Sequence, residues 1–138
     1  MSGLKISDMY VGQSASFTKT VTEGDVKAFA LISGDNNPVH FDEEFAAGTL
    51  FGKKVVHGML SAGLISAVLG NRLPGPGAIY AKQEIKFLAP VFFDETLTAT
   101  CTVKEIIAEK GRVILTCKVT NQDGKDVIAG EAAVIVPK

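Results

Sequence analysis

Cysteine, histidine and tryptophan are nearly missing from this sequence: two cysteines, two histidines and no tryptophan in 138 residues. So few cysteines rule out a disulfide-built scaffold, and no Cys or His pair lies at metal-ligand spacing. Charge of one sign is missing too. Fourteen Lys and Arg face fifteen Asp and Glu, a formal net charge of -1, so nothing pulls the whole chain towards nucleic acid or an anionic membrane. No stretch of 18 apolar residues offers a membrane span. No charged-then-apolar leader opens the chain, so the expectation is a soluble cytoplasmic protein. What remains is an ordinary globular mixture, 46% hydrophobic and 21% charged, of a length that suits one domain over residues 1–138 with one real core.

The hydrophobic period divides the chain. Residues 12–20 read as a first short strand. Thr22 and Asp25 form a capping-box-like start, Val26, Phe29, Ala30 and Ser33 follow at helical spacing, and Gly34 stops the helix, predicting helix 23–33. Residues 35–56 read as irregular, with turn chemistry at Asn37-Pro38 and a short helical turn at 43–47. Residues 57–73 (HGMLSAGLISAVLGNRL) are apolar nearly all round, which predicts a buried helix. Its small residues, Ser61, Ala62, Gly63, Ser66, Ala67 and Gly70, let a sheet approach its backbone.

Beyond the Pro-Gly-Pro-Gly of 74–77 the period becomes two. Ile79, Ala81, Gln83, Ile85 and Phe87 read as one strand face, and three more strands fall at 95–107, 111–121 and 126–136. Lys110-Gly111 and Asp123-Gly124 supply hairpin turns. Cys101 and Cys117 are in phase with the apolar alternation and read as small buried hydrophobes in neighbouring strands. A long antiparallel sheet wrapped around one buried helix satisfies this order, giving an α+β chain with the hot-dog layout. Such a sheet leaves bare edges, which a two-fold homodimer with a continuous sheet would pair.

Two features carry chemistry. Asp35 lies five residues before His40 across a proline-stiffened turn that can aim a carboxylate and an imidazole at one point. That is the requirement for general acid–base catalysis. Spacing alone equally allows Asp35 as a turn cap and His40 as a surface residue. His57-Gly58 opens the buried helix, where free N–H groups and a partial positive charge can hold a developing oxyanion. Glycine is also common at helix starts, and His57 there can simply brace the loop.

Together these residues resemble a known family. S-G-D-N-N-P-V-H-F-D at 33–42, followed by V-V-H-G-M-L at 55–60, is similar to the paired motif of MaoC-type (R)-specific enoyl-CoA hydratases. A-A-G-T-L-F at 46–51, L-P-G-P-G at 73–77 and F-L-A-P-V at 87–91 extend the likeness over essentially the whole chain. The resemblance implies that Asp35 and His40 activate a water that attacks C3 of a trans-2-enoyl-CoA and deliver a proton to C2. It implies that the Gly58 N–H polarises the thioester carbonyl, that Asn37 braces the loop, and that His57 supports the site. Ser66 and Leu69 are its weaker candidates for the acyl pocket. The implied reaction is the reversible formation of an (R)-3-hydroxyacyl-CoA with no cofactor or metal, the CoA being part of the substrate. The small single-domain form implies a prokaryotic homodimer acting on short acyl chains in fatty-acid metabolism and polyhydroxyalkanoate synthesis. Lys53, Lys54 and Arg72 read either as contacts for CoA phosphates or as a solvated rim.

Three alternatives stand beside this. A dehydratase acting on acyl carrier protein shares the chemistry. A hot-dog acyl-CoA thioesterase usually carries a carboxylate on or next to the buried helix, and residues 59–73 contain no Asp or Glu. A non-catalytic acyl-CoA binder has no use for a proton relay.

Overall fold

The computed structural model describes residues 2–138. There are five strands, β1 (Ser14–Thr20), β2 (Ile79–Phe87), β3 (Thr96–Ile107), β4 (Arg112–Thr120) and β5 (Asp126–Ile135), with inward and outward side chains alternating along β1, β3 and β4. They form one antiparallel sheet in the order β1-β3-β4-β5-β2. On β3, Leu97, Ala99, Cys101 and Val103 point inward, and on β4 Val113, Leu115, Cys117 and Val119 do the same. Cys101 sits directly across from Cys117, with the thiol sulfurs 3.6 Å apart, both free and buried. Burying this apolar row is the main driving force for the fold. The turns at Gly111 and Gly124 fall at the expected dipeptides.

Helix α1 (Glu23–Ser33) begins as its sequence requires. The Thr22 side chain accepts from the Asp25 N–H at 3.2 Å and the Asp25 carboxylate accepts from the Thr22 N–H at 2.9 Å. Aspartate thus closes the box in place of the usual Glu or Gln. Gly34 ends the helix with φ 81, a left-handed conformation that costs glycine nothing. A short α2 (Glu43–Ala47) follows, capped by Asp42, and then α3 (Gly58–Asn71), which packs against β3, β1 and β4.

Two expectations need correction. Helix α3 is not buried all round. Ser61, Leu64, Ile65, Val68 and Leu69 face the sheet, while Gly63, Ser66 and Gly70 lie on the open side and Met59 is 60% exposed. The sheet therefore meets the branched aliphatic face, where more apolar area is removed from water, and three of the six small residues face outward. On β2, a register shift between Tyr80 and Lys82 breaks the strict alternation. Tyr80, not Ala81, shares a face with Gln83, and its hydroxyl donates to the Gln83 amide oxygen. A period-two reading cannot see a bulge, because the extra residue resets the phase. Among the described residues no helix is long and apolar enough to cross a membrane.

Candidate active site

The site is made where the segment after α1 meets the start of α3. Asp35 begins it: its N–H donates to Ser33 Oγ at 3.1 Å, and its carboxylate accepts from the Asn37 N–H at 3.2 Å. Asn37 in turn caps a single 3-10 turn, Pro38–His40, accepting from the Val39 N–H at 3.2 Å. Each polar side chain here satisfies backbone two residues away, so the bend is held locally. Asn37 therefore braces the loop. The turn carries His40 inward until it is 8% exposed, while Asp35 stays on the surface side of the cleft.

The tautomers follow from the partners. His40 Nδ1 lies 2.7 Å from the Val55 carbonyl oxygen, an acceptor only, so Nδ1 carries the proton and Nε2 is left with its lone pair. His57 Nε2 donates in the same way to the Asp35 carbonyl at 3.0 Å. The two imidazoles stack with centroids 3.8 Å apart and 29° between planes, and Phe29 packs on His57 at 4.8 Å. Burial holds the His40 pKa below its ordinary 6.5. The Val55 hydrogen bond opposes this, nearby His57 adds to it, and the Asp35 charge opposes it weakly. His40 is thus neutral at neutral pH, a base with one free nitrogen. Donor atoms of Asp35, His40 and His57 lie within 4.8 Å of one another, so the pair foreseen five residues apart is brought together, with His57 beside it.

His57 is also the N-cap of α3, which leaves the Gly58 N–H with no acceptor inside the helix. A Cβ on Gly58 would stand 2.7 Å from the Phe87 ring, so glycine is what allows the end of β2 to approach the helix tip this closely. Asp35, His40, His57 and Gly58 all line one cleft of about 600 Å³. Leu50, Phe51 and Met59 stand at its rim, and Phe87, Leu88, Val91 and Ile128 form much of its apolar wall.

Ser66 and Leu69 do not line that cleft. Ser66 is exposed on the far side of α3, and Leu69, 2% exposed, belongs to the core under the sheet. The side chain missed by sequence reading is Ser61, which lines the cleft one turn after Gly58; its hydroxyl and His57 Nδ1 are buried with no hydrogen-bond partner among the described residues. Its position three residues from Gly58 was the available signal. Arg72 is also placed elsewhere. Its guanidinium donates to the Ser16 carbonyl and lies 5.7 Å from the Phe17 ring, at the opposite end of α3.

A hot-dog sheet and helix here bring a carboxylate, a neutral imidazole and a helix-tip N–H without an intrahelical acceptor to one cleft, the groups that general acid–base chemistry on a bound substrate needs. The chain belongs to the family of MaoC-like domains, whose model matches residues 8–126. It is 54% identical to the (R)-specific enoyl-CoA hydratase of Rhodospirillum rubrum, over 94% of this chain and 90% of that one. It is 46% identical to the 3-hydroxybutyryl-CoA dehydratase of Methylorubrum extorquens, over 98% and 85%. Among solved structures it matches the (R)-hydratase of Aeromonas caviae involved in polyhydroxyalkanoate biosynthesis, with TM-score 0.90 and 42% identity over 94% of this chain and 98% of that one.

Proposed function

We propose that the chain is an (R)-specific enoyl-CoA hydratase that adds water reversibly across trans-2-enoyl-CoA. The observation that carries this is the fixed His40 tautomer beside the Asp35 carboxylate, in a cleft that also holds the Gly58 N–H. A water held between Asp35 and His40 Nε2 loses a proton to the pair as its oxygen attacks C3. The electron pair of the alkene moves towards the thioester, and the charge on its oxygen is met by the Gly58 N–H. The proton taken by the pair, or its equivalent, then passes to C2. One O–H bond and the alkene π bond break while one C–O and one C–H bond form, so no electron acceptor, cofactor or metal is required; CoA enters as part of the substrate.

Short acyl chains fit this reading, because the relative of Methylorubrum extorquens is named for a hydroxybutyryl group. The (R)-3-hydroxyacyl product is the kind of monomer that polyhydroxyalkanoate synthesis consumes, the process named for the Aeromonas caviae protein. The free thiols Cys101 and Cys117 suit the reducing cytoplasm. The enzyme works as a homodimer: among the described residues the outer edge of β2 lacks a strand partner, Ile79 on that strand is 52% exposed, and α3 exposes a small-residue side at Gly63, Ser66 and Gly70. A second copy covers that face and continues the sheet. Sedimentation equilibrium should return twice 14.5 kDa.

Crotonyl-CoA tests the reaction through loss of conjugated enoyl-thioester absorbance. Asp35→Asn and His40→Gln should each lower kcat by about a thousandfold while circular dichroism stays native. Unchanged turnover in both variants, or release of free CoA thiol in place of hydration, would remove the proposal.

A further inference from the structure

Behind the rim of the cleft lies a second hollow that the hydration chemistry does not use. It is about 390 Å³, walled by Lys53, Lys54, Phe92 and Phe93, with Gly52 and Glu43 at its margin. The Lys53 ammonium stands 4.3 Å from the centre of the Phe92 ring, and that of Lys54 stands 5.2 Å from Phe93. Rings on one side leave an ammonium its outward N–H donors. Neither charge is spent on a strong ion pair. Among the described residues Lys53 has no carboxylate partner, and Lys54 meets only Glu43, at 3.7 Å, whose side chain is 86% exposed. A pair of that kind is worth little in water. The Lys54 side chain is itself only 19% exposed, so its charge is concentrated at the hollow.

This hollow is tied to the cleft at three backbone steps. Phe51, Val55 and Val91 line the cleft, while their neighbours Gly52, Lys54 and Phe92 line the hollow. Val55 and Phe92 form a β-bridge, and it is the Val55 carbonyl that holds His40. Lys53 is two residues from Val55, at most about 7 Å along the chain. Arg72 cannot contribute, since it is bound to Ser16 at the other end of α3.

Resting on the hydratase reading, we propose that this hollow binds the phosphate groups of the CoA substrate, with Lys53 and Lys54 as the phosphate ligands. A pantetheine arm has roughly the length of four extended residues, about 15 Å. Lys54 lies four residues before Gly58, so their backbones stand at most about 14 Å apart, within reach of such an arm. The site makes the enzyme distinguish a CoA thioester from a bare pantetheine thioester through charge and not through the acyl group.

The test compares crotonyl-CoA with crotonyl-pantetheine on the wild type, the double variant Lys53→Ala/Lys54→Ala and the charge-keeping Lys53→Arg/Lys54→Arg. The ratio of kcat/KM for the CoA over the pantetheine thioester should fall about tenfold in the alanine variant, through KM, and return with arginine. Competitive inhibition by adenosine 3′,5′-bisphosphate should weaken by a similar factor and should fade with added salt in the wild type. A ratio that does not move, or equal inhibition of wild type and alanine variant by the bisphosphate, overturns the site. Failure of the wild type to hydrate either thioester refutes the hydratase reading instead, and calorimetric titration with the bisphosphate then decides the phosphate site independently.

Discussion

Replacing Gly58 by alanine separates catalysis from stability at one atom. The added Cβ meets Phe87 ring carbons at 2.7 and 2.9 Å, about 1 Å inside ordinary carbon contact. Were that ring locked in a core, overpacking would cost about 1–3 kcal/mol. Phe87 is 54% exposed, so the ring can turn aside for about 0.5–1.5 kcal/mol. Alanine returns up to about 1 kcal/mol over glycine in a helix, less at the first position. The two effects nearly cancel, and Tm should move by no more than about 4 °C. Catalysis has no such compensation. The new methyl group and the displaced ring occupy the space beside the Gly58 N–H, where the thioester oxygen must sit. Loss of one oxyanion donor costs about 2.7–4 kcal/mol of barrier, or roughly a hundredfold to a thousandfold in kcat. Crotonyl-CoA hydration, measured beside thermal unfolding, should therefore show a loss of at least about a hundredfold in kcat/KM at nearly unchanged Tm. A variant that keeps kcat/KM within threefold of wild type would refute the assignment of Gly58 as donor.

The pH profile should carry an acidic limb from His40 that lies below 6.5, because burial depresses its pKa. The sign for stability is the same: the unfolded chain takes up this proton first, so stability drops as pH falls from 6.5 towards the folded value, and the loss is complete below it. Changing His57 to Gln removes a neighbouring imidazole that lowers the His40 pKa, and should move the limb upward; a limb that stays in place argues that His40 is not the titrating base. Leu69→Ala should cost about 2–5 kcal/mol in chemical denaturation, as for any buried leucine, while KM for crotonyl-CoA stays within twofold. A large KM change with little loss of stability would return Leu69 to the acyl pocket.

The readable parts of the sequence were those whose interactions are local. The Thr22–Asp25 box, the Gly34 stop and the Asp35–Asn37–Pro38 bend all close within about four residues, so the chain's own chemistry places them. The apolar alternation of β3 and β4 put both cysteines inside in neighbouring strands because neither strand has a bulge at those positions. The walls of the cleft were not readable in this way. Phe87, Val91 and Ile128 reach Gly58 only through tertiary packing, and nothing in their local pattern separates a cleft wall from a core residue.

The two misplaced acyl-pocket candidates show why the helix was the hard case. An amphipathic helix announces its inner face; α3 is apolar or small at almost every position, so its sequence does not choose one. The sheet makes the choice by volume. Leu64, Ile65, Val68 and Leu69 fill the space under the strands, and that selection turns Ser61 towards the cleft and Ser66 away from it. The same rotation leaves Gly63, Ser66 and Gly70 facing outward. A helix whose outward side carries small residues in place of charged ones is unusual for a lone protomer and sensible for one whose second side meets another copy. Its lack of amphipathicity, which hid the pocket face from the sequence, thus has the same physical origin as the proposed dimer.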